Sequence, residues 1–530
     1  HGPSEVIDPD FDWQDRAWRG IPLIDYLIYE LHVGAFSGEG TFEAVIPHLD
    51  RLTDLGVTAI ELMPVAQCPG DRNWGYDGVY PYAVQDSYGG PQCLKKLVET
   101  CHLRGLAVIL DVVYNHLGPE GNYLAEFGQY FTDRYKTLWG PAINFDGPHS
   151  DEVRRFFIDN AKYWVTEFHI DALRIDAIHG IFDFSAHHFL EELTLAVHER
   201  AERLNRRIYV IAESDLNDSR VIRSRDVGGY GLDAQWNDDF HHSIHVLLTG
   251  ERCGYYSDFG EFRHVVKAFR EGFVYSGQFS SYRARRHGNR SLGLPPHRWV
   301  VFAQNHDQVG NRIEGDRLSK LLSMEALKLA AGAVLLSPFI PLVFMGEEYG
   351  ETAPFPYFVS HSDPGLVEAV RRGRKEEFAR FQWSSDPPDP QDEKTFLSAK
   401  IDYDLARTGH HQVLYEFYRE LIRLRKRLPA LACATRERME ICEFDQERTL
   451  FVRHWHDVEE TVTIFHFSHT PHDLSFPMSS GTWIKEMDSA EPRWDGPGSA
   501  ILSEVRSDGG VTLRLSPLSV VLLTRDVISQ

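Results

Sequence analysis

The 530-residue chain has little cysteine and little methionine, six of each, and fewer basic than acidic side chains, 55 Lys plus Arg against 78 Asp plus Glu. Cys68, Cys93, Cys101, Cys253, Cys433 and Cys442 are scattered without CxxC or metal-ligand spacing. That pattern excludes a disulfide scaffold and fits reduced thiols in a cytoplasmic enzyme. The shortage of positive charge gives a formal net charge of -23, which repels phosphate backbones, so no nucleic acid partner is expected. The longest uncharged apolar run, Leu329 to Gly346, is broken by Ser337, Pro338 and Pro341. It reads as a buried helix followed by a buried strand, and no membrane partner is expected. No GxGxxG follows the first apolar run, which argues against a dinucleotide-binding sheet, and the chain has neither an internal repeat nor a low-complexity segment.

What is present is a large folded core: 42% hydrophobic and 12% aromatic residues with 25% charged. Eight short apolar runs alternate with helix-periodic stretches: Leu27 to Val33, Val57 to Leu62, Ala107 to Val113, Ile170 to Ile175, Ile208 to Ala212, Leu232 to Trp236, Trp299 to Ala303 and Pro341 to Phe344. Helices are expected over Phe42 to Leu55, Asp151 to Phe168, Ala186 to Leu204 and Gln412 to Arg427. Eight βα repeats favour an α/β fold of the closed (β/α)₈ TIM barrel type over an open sheet of five or six strands. The segment after the third strand, about 114–150, is long and rich in Gly and aromatics and reads as a functional insertion. A second aromatic-rich stretch spans Gly350 to Pro364, and Asp386 to Asp392 reads as a surface loop. After Pro429 short alternating runs, among them Leu450 to Trp455, Thr461 to Phe467 and Val511 to Leu515, predict an antiparallel β domain. The catalytic barrel is thus assigned to 25–428 and the C-terminal domain to 429–530.

In a parallel barrel the side chains at the C-terminal strand ends converge on one face. Four runs end in polar residues: Asp111, Asn115 and His116 after the third, Arg174, Asp176 and His179 after the fourth, Glu213 after the fifth, and His306 with Asp307 after the seventh. One such residue is ordinarily a helix cap or a hydrogen-bonded core group. Four clusters at four strand ends are too costly to bury without a purpose. Glycoside hydrolysis needs one ionised carboxylate and one protonated carboxyl across the scissile bond. Asp176 suits the first role, with Arg174 two residues earlier on the same strand face to hold it ionised. Glu213, after apolar Val210-Ile-Ala, suits the second because burial raises its affinity for a proton. Asp307 adds a third carboxylate, and His116 and His306 are hydroxyl donors around the same sugar ring.

These four segments resemble the signature regions of the α-amylase family of retaining glycosidases over about residues 25–430. The resemblance implies Asp176 as nucleophile, Glu213 as acid/base and Asp307 as transition-state stabiliser. It implies Asp111, His116, Arg174 and His306 as supports of the central subsite, Tyr76 as a contact of the ring at the cleavage point, and a C-terminal β-sandwich. Within the family, Ile28-Tyr-Glu-Leu-His-Val-Gly, Asn73-Trp-Gly-Tyr-Asp-Gly-Val, Leu173-Arg-Ile-Asp-Ala-Ile-His, Phe302-Ala-Gln-Asn-His-Asp-Gln-Val-Gly-Asn-Arg and Phe344-Met-Gly-Glu-Glu-Tyr are similar to the branch that releases trehalose from the end of a maltooligosyl chain. His1-Gly-Pro-Ser-Glu also carries that similarity. The substrate so implied is maltooligosyltrehalose, with related α-glucans, and His179 belongs to its site. Glycogen branching enzymes share the first two segments broadly, so α-glucan branching is the alternative activity, and a non-catalytic glucan-binding barrel the alternative class. Members of that branch carry an amino-terminal β domain, which makes 1–24 a linker from such a domain.

Aromatic residues supply candidate sugar platforms, since glucose rings stack their C–H faces on them. Trp74, Tyr76, Tyr80, Tyr82 and Tyr88 crowd the loop after the second strand, with Trp139, Trp236, Phe355 and Tyr357 in other loops. No metal and no cofactor are expected: Asn115 lies where the family often holds calcium, but no companion set of oxygen ligands accompanies it.

Overall fold

The structure, a computed structural model, describes residues 10–137, 140–379, 387–457 and 459–526. His1 to Glu5, Trp139 and Asp386 lie outside the described residues. All eight expected barrel strands form: β1 Ile28–Leu31, β2 Ala59–Leu62, β3 Ala107–Val112, β4 Ala172–Ile175, β5 Tyr209–Ala212, β6 Ala234–Trp236, β7 Trp299–Phe302 and β8 Ile340–Phe344. They close a barrel in which every strand neighbours the next in sequence and β8 returns to β1. The fold is a (β/α)₈ barrel, as the alternation of runs predicted. The strands are buried on both faces, β1 and β2 completely, which is why they read as continuous apolar runs rather than alternating ones.

The expected helix over Phe42 to Leu55 is interrupted. Helical turns at Phe42–Val45 and Leu49–Leu55 flank a 3₁₀ turn at Ile46–His48, because Pro47 offers no N–H and crowds the preceding turn. Helices at Ser150–Glu167 and Phe189–Leu204 fall within a few residues of expectation. The apolar run near the membrane-span length divides into the helix Met324–Leu335 and strand β8, and no helix among the described residues is long and apolar enough to cross a membrane.

The chain forms two compact units. The first comprises 1–236, 306–316 and 353–401, and it contains β1 to β6 and every candidate site residue. Register within it sets the site: Glu30 of β1 lies opposite Glu61 of β2, and Asp111 of β3 lies opposite Arg174 of β4. The insertion after β3 is built on a hairpin, Phe131–Thr137 with Gly140–Ile143. The second unit comprises 237–305, 317–352 and 402–530. Its C-terminal part holds β9 Met439–Phe444, β10 Thr449–Trp455, β11 Glu459–His466, β12 His472–Phe476, β13 Gly481–Asp488, β14 Glu504–Ser507, β15 Val511–Leu515 and β16 Ser519–Asp526. Six of these form an antiparallel sheet in the order β9-β10-β11-β16-β13-β14, and β12 pairs with β15. Leu474, Phe476, Leu513 and Leu515 of the pair bury themselves with Phe451, Ile464 and Trp483 of the larger sheet, which makes the expected sandwich.

Candidate active site

The strand ends bring the predicted carboxylates around one guanidinium. Arg174 is fully buried and reaches Asp111 at 2.8 Å and Asp176 at 2.7 Å through Nη1, while Nη2 lies 3.7 Å from Glu213 and 3.9 Å from Asp307. Its face rests on the Trp236 ring, 4.4 Å from the centroid, so the cation is held between an aromatic floor and four acidic groups. The opposing charges raise its proton affinity further despite burial, and Arg174 remains a fixed cation.

Asp176 divides its oxygens. Oδ1 accepts from Arg174 and Oδ2 from the Asn115 amide at 2.7 Å. Asn115 orients Asp176, since its Nδ2 also donates to the Asp176 carbonyl, while its Oδ1 lies 2.5 Å from His116 Nδ1. The next residue, Ala177, has φ 39°, a left-handed conformation that a side chain disfavours. That turn aims its N–H at Glu213 Oε2, 2.6 Å away, leaving Oε1 as the site for a proton. Burial raises the Glu213 carboxyl above the usual range, with Asp176 and Asp307 adding to the effect and Arg174 and His179 opposing it. Asp307 keeps a side chain 38% exposed, whereas Asp111 is buried, and burial lifts the latter to about 7 even against Arg174.

Tyr76 and His306 close the other wall. The Tyr76 hydroxyl donates to Asp111 Oδ2 at 2.6 Å, lies 2.7 Å from His306 Nε2, and its ring stacks on the imidazole. His116 Nε2 lies 3.0 Å from the Tyr76 carbonyl and fixes the same loop. His179 sits on the turn after Asp176, half-buried, with Nδ1 3.9 Å from Asp215.

Four of the expected platforms are buried. Trp74 is 3% exposed and its indole N–H donates to the Pro356 carbonyl, with Phe355 stacked against it and His306 at its edge. Trp236 is 1% exposed beneath Arg174. Both are walls behind the polar groups rather than faces offered to a sugar, as are buried Phe355 and Tyr88. Tyr80 remains exposed and Tyr357 half-buried.

Comparison with known proteins fits this arrangement. The family model for the α-amylase catalytic domain matches residues 31–141. Malto-oligosyltrehalose trehalohydrolase of Arthrobacter ramosus is 48% identical over 512 residues, 95% of this chain and 87% of that one. The protein of the same name from Saccharolobus solfataricus is 51% identical over 433 residues, 82% and 74% of the respective chains. The chain belongs to the malto-oligosyltrehalose trehalohydrolase family. A solved structure of a Salmonella typhimurium protein assigned as an alpha amylase is also similar, with a TM-score of 0.87 at 37% identity over 99% of this chain and 86% of that one. For this trehalohydrolase-family chain, two buried carboxylates escaped the sequence reading. Glu30 receives both His306 Nδ1 at 2.5 Å and the His306 backbone N–H at 3.0 Å. Glu61, in register with it, has no hydrogen-bond partner for either oxygen among the described residues. The signal available was an acid inside an apolar strand, in Ile28-Tyr29-Glu30-Leu31 and in Ile60-Glu61-Leu62.

Proposed function

We propose that the chain is a retaining glycoside hydrolase that cleaves the α-1,4-glucosidic bond next to the trehalose end of maltooligosyltrehalose, releasing trehalose and a maltooligosaccharide. Family membership supports the substrate, and the carrying observation for the chemistry is the pair of carboxyls meeting at Arg174: one bonded to two donors, the other buried with one oxygen spare. Asp176 is the nucleophile, since Arg174 and Asn115 stabilise it as an anion while leaving lone pairs for attack. Glu213 gives its proton to the glycosidic oxygen, so trehalose leaves with a new hydroxyl as Asp176 bonds to the anomeric carbon. Glu213, now a carboxylate, takes a proton from water, which displaces Asp176 and returns the original anomeric configuration. Asp307, the most exposed of the three, stabilises the positively charged sugar in both transition states.

The central ring is held by Tyr76, His116, His306, Asp111 and Arg174, with His179 on the side of the leaving disaccharide. The α,α-1,1 kink of trehalose is read by the rim, where the insertion after β3 and residues 353–364 are the candidates. We take 25–428 as the catalytic region and 429–530 as the accessory sandwich. Cysteines scattered without CxxC or metal-ligand spacing support a cytoplasmic setting. The test is hydrolysis of maltotriosyltrehalose against maltopentaose with product separation. Trehalose release should be favoured roughly 10- to 10⁴-fold in kcat/KM, because each buried polar partner left unpaired by the wrong disaccharide costs about 1 to 3 kcal/mol. Equal rates would leave a general α-glucan hydrolase, and branched products the branching reaction.

A further inference from the structure

We propose that Glu30 is a positioning residue for this reaction: its carboxylate holds His306 as the doubly protonated imidazolium, and His306 thereby commits the Tyr76 hydroxyl proton to Asp111. The inference rests on the functional reading above only for its kinetic consequence. The charge state follows from counting protons along one chain of hydrogen bonds.

Glu30 presents two acceptors to two His306 atoms, Nδ1 at 2.5 Å and the backbone N–H at 3.0 Å, and both side chains are 1% exposed. A carboxylate satisfies both contacts only if Nδ1 carries a proton. At the far side of the ring, Nε2 lies 2.7 Å from the Tyr76 oxygen. Tyr76 has one proton, and Asp111 Oδ2 at 2.6 Å receives it. The phenol oxygen is then free only to accept, so Nε2 also carries a proton. Both ring nitrogens donate, which is the definition of the cation.

Asp111 in turn contacts Arg174 Nη1 with both oxygens, at 2.8 and 2.9 Å, and Arg174 binds Asp176. An ordered path therefore runs from a strand of the barrel wall to the nucleophile: Glu30, His306, Tyr76, Asp111, Arg174, Asp176. Without the Tyr76 donor, Asp111 would draw harder on the guanidinium it shares with Asp176.

The charged and titratable groups facing His306 are Glu30 from β1, His32 just after it, Glu61 from β2, Asp111 from β3, Arg174 from β4, Tyr76 from the loop after β2, and Asp307 beside it. Burial alone would strip the proton from His306, but Asp307 and Glu30 outweigh it and lift the imidazole to about 9. Glu61 makes the contrast within the same register. Among the described residues no donor reaches it, and burial, with Glu30 and Asp111 nearby, raises it well above the usual carboxylate range. Of two glutamates side by side on β1 and β2, Glu30 is the one that His306 reaches with both Nδ1 and its backbone nitrogen.

The competing arrangement has a protonated Asp111 giving its proton to Tyr76, which then donates to a neutral His306. Burial lifts Asp111 to about 7, so pH 8 lies between the two groups and separates the alternatives.

The experiment has two arms. The first is nitrogen-15 NMR of histidine-labelled protein without substrate at pH 8, with the His306 signals assigned by their loss in His306→Gln. The imidazolium pattern is expected in the wild type and the neutral pattern in Glu30→Gln, whose amide offers only one acceptor. A neutral His306 in the wild type at pH 8 overturns the proposal. The second arm is trehalose release from maltotriosyltrehalose. Glu30→Gln should lower kcat about tenfold or more with KM little changed, yet have no further effect in a His306→Gln background. An equal loss in both backgrounds also overturns it. If the wild type releases no trehalose, the functional reading fails while the first arm still decides the charge of His306.

Discussion

The two ends of the barrel carry networks of the same residue types put to opposite uses. At the N-terminal ends of β3 and β4, His102 lies between Asp15 at 2.7 Å and Asp171 at 2.8 Å, and His169 makes a second contact with Asp15 at 2.8 Å. Asp171 also receives the Trp18 indole, Arg206 and the Val108 N–H. Trp13 and Trp18 stack over His169 and His102. Asp15, His102 and His169 are close enough to suggest a metal site. Yet the bonded separations are those of shared protons, whereas ligands 2.0 to 2.1 Å from a tetrahedral ion stand about 3.3 Å apart. At the catalytic end, by contrast, Asp307 is 38% exposed and Glu213 keeps an oxygen uncommitted. One network, the closed end, pairs its carboxylates with its own histidines and Arg206; the other, the open end, leaves groups free where a substrate would engage them, as barrel enzymes separate stability from chemistry.

The largest expected effects break the open end. Asp176→Asn keeps the shape and the Arg174 contact but cannot attack carbon, so turnover should fall about 10⁴-fold or more while glucan binding persists. Glu213→Gln should lose about 10² to 10⁴. Activated glycosides, whose leaving groups need no proton, should restore the first step for Glu213→Gln alone. Equal rescue of both variants would exchange the assigned roles. Because burial makes an ionised Glu213 costly, its amide variant should melt no lower than the wild type, a sign opposite to that expected at the closed end.

There, His102→Asn should cost about 3 to 5 kcal/mol, since it leaves two buried carboxylates short of a cation. Denaturant unfolding measures the loss, and kcat of the folded fraction should stay within about twofold of wild type. A large fall in kcat without a change in stability would show that the two ends are coupled.

The contrast between these ends also explains what the sequence could convey. The residues proposed as catalytic, Asp176, Glu213 and Asp307, and the supporting Asp111 stand where apolar runs stop, so they could be read from periodicity together with the convergence of strand ends. The closed end draws on Asp15, His102, His169 with Asp171, and Arg206, from segments far apart, and nothing local marks them as neighbours. Residues 10–24, expected as a linker, carry Asp15, Trp13 and Trp18 into that network. Aromatic content announced sugar platforms but not direction: Trp74, in the loop after β2, stacks on Phe355, and Trp236, the last residue of β6, lies under Arg174. Pro47 was visible in the sequence, yet the helical periodicity around it continued on both sides and hid the break.

The smallest effect, and the one that sharpens the comparison most, is the pH dependence of stability. Although burial opposes it, Asp171 and Asp15 raise the His102 imidazole above its usual 6.5. The stability this provides is fully present below 6.5 and disappears as pH rises through the higher folded value. Asp15 and Asp171 shift the other way, lowered from 3.8 by the histidines, and for Asp171 also by Arg206, against the effect of burial. Their contribution is present above 3.8 and is lost as pH falls through the lower folded values. Both contributions are complete only between 3.8 and 6.5, so the closed end should be strongest in mild acid. Each proton involved limits the slope to about 1.4 kcal/mol per pH unit. Unfolding free energies of wild type and His102→Asn, measured from pH 5 to 9, should therefore converge toward the alkaline end. A difference that stays constant across that range would mean that His102 is neutral between its two carboxylates, and the closed end would then be a network of ordinary hydrogen bonds rather than a buried cation.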